Sequence, residues 1–187
     1  MIKLRSMHRI SKDSPAYFLT IVAKDRLPVF RTEKVKLITC KAMDEARKSG
    51  KFAIYAYVIM PNHIHLISDS YLKPSETLRY VKGIMARRVI DYLKKGGFQK
   101  SLDKLRTETK GRNYKHTLWE HHSNTFLVTH DAMMRQKVNY IHQNPVNDGH
   151  CERAVDYHFS SSRFWFNLSL INEPLDVDIK EIKWSGA

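Results

Sequence analysis

Cysteine is scarce in this 187-residue chain: Cys40 and Cys151 are the only two. Two widely spaced thiols build neither a disulfide framework nor a four-ligand zinc site. Long apolar runs are missing too, since no stretch approaches the roughly 18–20 apolar residues that a membrane span requires. The first ten residues carry basic side chains with no apolar run after them, unlike a secretory leader. These absences lead us to expect a cytoplasmic protein with reduced thiols and no membrane partner. Acid is also in short supply, with 19 Asp and Glu against 32 Lys and Arg, a net charge of +13. A surplus of that size points to a polyanionic partner, nucleic acid first of all. The plainer alternative is a basic but otherwise ordinary soluble domain.

With 42% hydrophobic residues the chain can bury a core, and its length suits a single domain over 1–187. That domain reads as a core over about 16–165, a basic insertion over about 94–115 and an acidic tail from about 166. Ala16 to Ala23 is β-branched and aromatic and reads as a strand. Thr32 is a candidate N-cap for a helix in which Val35, Ile38, Ala42 and Ala46 keep helical spacing, with Gly50 as its stop. Phe52 to Ile59 is nearly all apolar and reads as a buried central strand. Met60-Pro61-Asn62 reads as a tight turn into an antiparallel strand, Ile64 to Ser68.

Pro74, Ser75 and Glu76 open a second helix. Its buried stripe is Leu78, Val81, Met85, Val89 and Tyr92, with Lys82, Arg87 and Arg88 on the wet side. Lys94 to Lys115 holds eight Lys and Arg against two acids and reads as a loop, either solvated or in contact with nucleic acid. Thr117 to Val128 reads as a strand or a bent pair of strands. A helix is expected over Asp131 to Gln143, ended by Pro145. The acidic segment from Leu175 reads as weakly structured, docked by Trp184. The order βαββαβ predicts an α+β fold, a ferredoxin-like sheet with helices on one face, plus an additional C-terminal helix.

Two patterns carry chemistry. His63-Ile64-His65 lies on a predicted strand, where residues two apart share a face. Two imidazoles would then stand side by side, and neutral imidazole is a standard ligand for divalent transition metals. The alternative is a pair of surface or capped histidines after a turn. Tyr140 and Asn144 are one helical turn apart and share a face. Tyrosine can act as a covalent nucleophile and an amide oxygen as a metal ligand. The alternatives are a tyrosine packed on a sheet and an asparagine that only stops a helix. His121 and His122 are expected to point opposite ways on a strand, and His142 away from Tyr140; with His150 they read as structural or DNA-facing.

Taken together, Tyr57-Val58-Ile59-Met60-Pro61-Asn62-His63-Ile64-His65-Leu66-Ile67 and Tyr140-Ile141-His142-Gln143-Asn144-Pro145-Val146 resemble the IS200-like single-tyrosine transposase family. Among its branches, the REP-associated tyrosine transposases are the most similar, because their helix motif ends in Asn-Pro. The resemblance spans about Ala16 to Phe164, with the basic segment as a divergent insertion. It implies a single-stranded DNA endonuclease and strand transferase of the HUH class, acting on hairpin-forming repeats. By that resemblance His63, His65 and Asn144 hold Mg²⁺ or Mn²⁺, Asn144 standing where the insertion-sequence branch uses glutamine. Tyr140 attacks the scissile phosphate, forms a 5′-phosphotyrosine and releases a 3′-hydroxyl.

The expected partner is single-stranded or hairpin DNA. The expected state is a monomer, with a helix-swapped homodimer as the alternative. Lys82, Arg87, Arg88 and Arg112 are the candidate phosphate contacts, and Trp119, Tyr114 and Phe126 candidate stacking platforms or core residues. Two rival readings remain: a hairpin DNA-binding protein with little or no cleavage, and an unrelated metal hydrolase in which Tyr140 is structural.

Overall fold

The computed structural model describes residues 7–107, 116–170 and 172–185. Arg112 and Tyr114 lie outside the described residues. The elements in chain order are β1 (His8–Arg9), β2 (Ala16–Val22), α1 (Glu33–Gly50), β3 (Ile54–Ile59), β4 (His63–Ser68), α2 (Pro74–Lys95), α3 (Gln99–Lys104), β5 (Asn124–Val128), α4 (Asp131–Asn147), α5 (Ser162–Trp165) and β6 (Ile182–Lys183).

Strands β3, β4, β2 and β5 form one antiparallel sheet in that order. Strand β4 therefore lies between β2 and β3 and splits the unit they form with α1. Register puts Thr20 opposite His65, Val58 opposite His65 on the other side, and Phe18 opposite Phe126. Side chains alternate across a sheet, so these residues share one face. Tyr57, Ile59, Ile64 and Leu66 point the other way and are fully buried.

That second face is covered by α1, whose Cys40 lies beside Tyr57. Lys36 of α1 reaches the same side, where its Nζ donates to the Tyr157 hydroxyl, which donates in turn to the Ile59 carbonyl. Helix α2 packs along α1. The first face receives α4 and not a second helical layer: Tyr140 and Lys137 of α4 contact Phe18 and His65 across it.

Helix α1 begins where expected. Thr32 has extended backbone and its Oγ1 accepts from Val35 N at 3.4 Å. Its end differs. Gly50 is the last helical residue and the left-handed cap is Lys51, with φ 55°. Gly50 is needed for space, since a Cβ there would come within 2.9 Å of the Phe52 ring.

Strand β3 is fully buried yet forms an edge of the sheet, not its centre. Burial comes from the C-terminal segment, which closes its outer side. Ile59 N donates to Phe159 O at 2.9 Å, Ser161 N to Tyr57 O at 3.0 Å, and Asp178 N to Ile54 O at 2.7 Å. An exposed strand edge is thereby satisfied. The tail is better anchored than its composition suggests. Leu175 and Ile182 are buried, β6 pairs in parallel with β1, and Trp184 meets Trp165 edge-on at 5.9 Å.

Three further expectations are corrected. The basic segment after α2 is not all loop: Gln99–Lys104 is helical and Leu102 and Leu105 are buried. Residues 117–123 are not strand, and β5 covers only Asn124–Val128. Helix α4 does not end before Pro145 but runs to Asn147. Proline removes one N–H donor in the last turn, where little helix remains to be broken. The nearby carbonyls recover partners: Asp148 N bonds Asn144 O, Gly149 N bonds Val146 O, and His150 N bonds Pro145 O.

Candidate active site

The Met60-Pro61-Asn62 turn closes with Met60 N donating to His63 O at 2.9 Å, which starts β4 at His63. Alternation then buries Ile64 on the α1 side and presents His63 and His65 together on the α4 side. Their ring centroids are 4.9 Å apart. Each ring is held through Nδ1. His63 Nδ1 donates to Asn62 Oδ1 at 2.7 Å, and His65 Nδ1 pairs with Thr20 Oγ1 at 3.0 Å. The Asn62 bond places the proton of neutral His63 on Nδ1, and the Thr20 bond fixes the orientation of the His65 ring.

Asn144 of α4 closes the cluster. Its Nδ2 donates to the Tyr140 carbonyl at 2.7 Å. The amide also interacts with both imidazoles and favours their protonated forms. Burial is the dominant influence on both histidines and keeps them neutral, with His65 pushed down to about 3. Two neutral imidazoles with a carboxamide beside them are a donor set that fits a divalent cation, with coordination positions left for substrate. Among the described residues no group of three His, Cys, Asp or Glu offers a rival metal site.

Tyr140 stands beside this cluster. Its ring meets His65 edge-on at 5.3 Å and Phe18 at 5.8 Å, and the side chain is 49% exposed. It is therefore not a tyrosine sealed into the sheet. His142 points into the core, where its Nε2 pairs with Ser161 Oγ at 2.9 Å and burial lowers its pKa to about 4. His121 and His122 are exposed, lie before β5, and have rings 4.7 Å apart, so they do not diverge as on a strand.

The structure gathers His63, His65, Tyr140 and Asn144 but not Lys82, Arg87 and Arg88. Lys82 is half-buried, not on a wet face: its Nζ donates to Glu120 O at 2.9 Å and Ser123 Oγ at 3.2 Å. Arg88 makes two 2.8 Å bonds to the Glu45 carboxylate, with Arg87 nearby at 4.0 Å. Both arginines belong to the helical layer across the sheet from His63. Trp119 is core, stacked on Phe30 and bonded through Nε1 to Lys82 O at 2.9 Å. Phe126 is 45% exposed on the Tyr140 side.

Four residues near the cluster escaped the sequence reading: Thr20, Asn62, Lys137 and Arg26. Helical spacing from Tyr140 could have found Lys137, and adjacency to His63 could have found Asn62. Thr20 depends on strand register, and Arg26 on a left-handed turn with φ 52°, neither readable from spacing. Lys137 and Arg26 each press the histidines further toward neutrality by their positive charge.

A family model for IS200-like transposases matches residues 11–144. The chain belongs to that family. The match spans both sheet histidines and ends on Asn144, and the family indicates a DNA-processing enzyme. A Haemophilus influenzae protein assigned as a REP-associated tyrosine transposase is 27% identical over 151 residues, covering 78% of each chain. A solved REP-associated tyrosine transposase bound to a REP hairpin superposes with a TM-score of 0.59 at 19% identity. It covers 96% of this chain and 93% of that one, a likeness of fold. Among the described residues, no helix of this IS200-like transposase is long and apolar enough to cross a membrane.

Proposed function

We propose that this chain is a divalent-metal-dependent, single-stranded DNA endonuclease and strand transferase acting at hairpin-forming repeats through a 5′-phosphotyrosine on Tyr140. The observation that carries this reading is the meeting of a half-exposed Tyr140 with His63, His65 and Asn144 on one sheet face. The solved relative's REP hairpin supports the choice of DNA structure. Tyr140 and His65 belong to one chain with rings 5.3 Å apart, which supports a site assembled within a single subunit.

His63 Nε2, His65 Nε2 and the Asn144 oxygen would hold Mg²⁺ or Mn²⁺, which supplies charge stabilisation at a phosphate oxygen. Asn62 and Thr20 keep both rings aimed. The Asn144–Tyr140 carbonyl bond occupies the amide nitrogen and leaves its oxygen for the metal. Tyr140 Oη loses its proton and forms a bond to phosphorus, the P–O3′ bond breaks, and the departing oxygen takes up a proton as a 3′-hydroxyl. The phosphotyrosine conserves the energy of the broken phosphodiester, so attack by another 3′-hydroxyl rejoins strands and restores the tyrosine.

Single-stranded hairpin oligonucleotides incubated with Mn²⁺ test the reading. Cleavage is expected with wild type and lost both in EDTA and in Tyr140→Phe. Cleavage that survives Tyr140→Phe contradicts it and favours a hydrolytic metal site.

A further inference from the structure

We propose that Lys137 grips the DNA phosphate presented to Tyr140, making it a substrate-contacting residue of this site. The inference rests on the reading of the His63–His65–Tyr140 cluster as a DNA-cleaving centre. Lys137 precedes Tyr140 by three residues on α4 and so shares its face. Its Nζ lies 4.3 Å from the centre of the Phe126 ring, 5.1 Å from Phe18 and 6.0 Å from Tyr140. The charge is close enough to act on His65.

What distinguishes Lys137 is its partners. Three other cations of the fold are committed to polar or acidic partners: Lys82 to the Glu120 carbonyl and Ser123, Arg88 to Glu45, Arg47 to Asp44 and Asp178. Among the described residues Lys137 makes no ion pair, and only aromatic faces hold it. A ring quadrupole holds an ammonium but, unlike a carboxylate, leaves its positive charge uncompensated. A lysine parked on rings beside the proposed nucleophile can swing onto an anion without first breaking a salt bridge. A non-bridging phosphate oxygen is the anion the site receives. As negative charge builds on that oxygen in the transition state, the ammonium seated on it stabilises it. Phe126, exposed beside it, offers a face to the adjoining base.

A purely structural role would have the lysine stem cover Phe18 and Phe126. Lys137→Met keeps that cover and removes the charge, and Lys137→Arg restores it. The experiment measures the rate of adduct formation on a hairpin oligonucleotide with Mn²⁺, and the salt dependence of oligonucleotide binding in the Tyr140→Phe background. Thermal midpoints confirm folding. Lys137→Met should slow adduct formation about 10²-fold, while affinity falls only several-fold and the salt slope drops by about one counterion. Lys137→Arg should recover most of the rate. An unchanged rate with an active wild type overturns the inference and leaves the proposed function intact. Absence of any wild-type adduct fails the proposed function. In that case the salt slope still decides: a slope unchanged by Lys137→Met refutes the phosphate contact, and a reduced one supports it.

Discussion

Acidification from pH 7.5 to 5 should destabilise this protein through two buried histidines. His65 and His142 both titrate near 6.5 when unfolded, and burial lowers them to about 3 and about 4 in the fold. Between those values and 6.5 the unfolded chain binds protons that the native state refuses. Stability therefore rises with pH across that window and is lost as pH falls through 6.5. At pH 5 each group costs roughly 2 kcal/mol relative to pH 7.5, about 4 kcal/mol together. His63 is lowered too and adds in the same direction. Urea unfolding in EDTA at the two pH values measures the difference. The ion-paired carboxylates Asp44, Glu45 and Asp156 stay ionised at pH 5, because they titrate below their ordinary values. The variant His142→Asn should remove about half of the slope. An unfolding free energy that is flat from pH 7.5 to 5 would refute the placement of both rings.

Thr20→Val removes the hydroxyl paired with His65 Nδ1 while suiting the strand; Mn²⁺ affinity by calorimetry should fall about 10- to 100-fold with the thermal midpoint held. Trp119→Phe gives up the 2.9 Å bond to the Lys82 carbonyl and should cost about 1–3 kcal/mol in urea unfolding. Loss of stability well under that range would show that water replaces the indole.

Much of the sheet and its site was readable because it rests on local periodicity. The His63–His65 pair follows from strand alternation alone, and the Tyr140–Asn144 pair from helical spacing. What stayed hidden depends on residues far apart in sequence. The fully apolar run of β3 reads as a central strand, yet its burial comes from Phe159, Ser161 and Asp178, about a hundred residues later. Lys82 reads as solvent-facing because helical phase says nothing of the Glu120 and Ser123 segment that folds over it. The stop expected at Pro145 failed because a proline in a final turn removes one bond, not a helix. Thr20 was invisible for a related reason: only the pairing of β2 with β4 sets it against His65.

The proposed function stands or falls on a covalent bond between Tyr140 and DNA. Tryptic digestion after reaction with a hairpin oligonucleotide and Mn²⁺, followed by mass spectrometry, locates the attachment. A nucleotide-modified peptide covering 138–153 is expected, with the nucleotide on Tyr140 and the adduct absent in Tyr140→Phe. Strand cleavage with that peptide unmodified, or attachment at another residue, would contradict it.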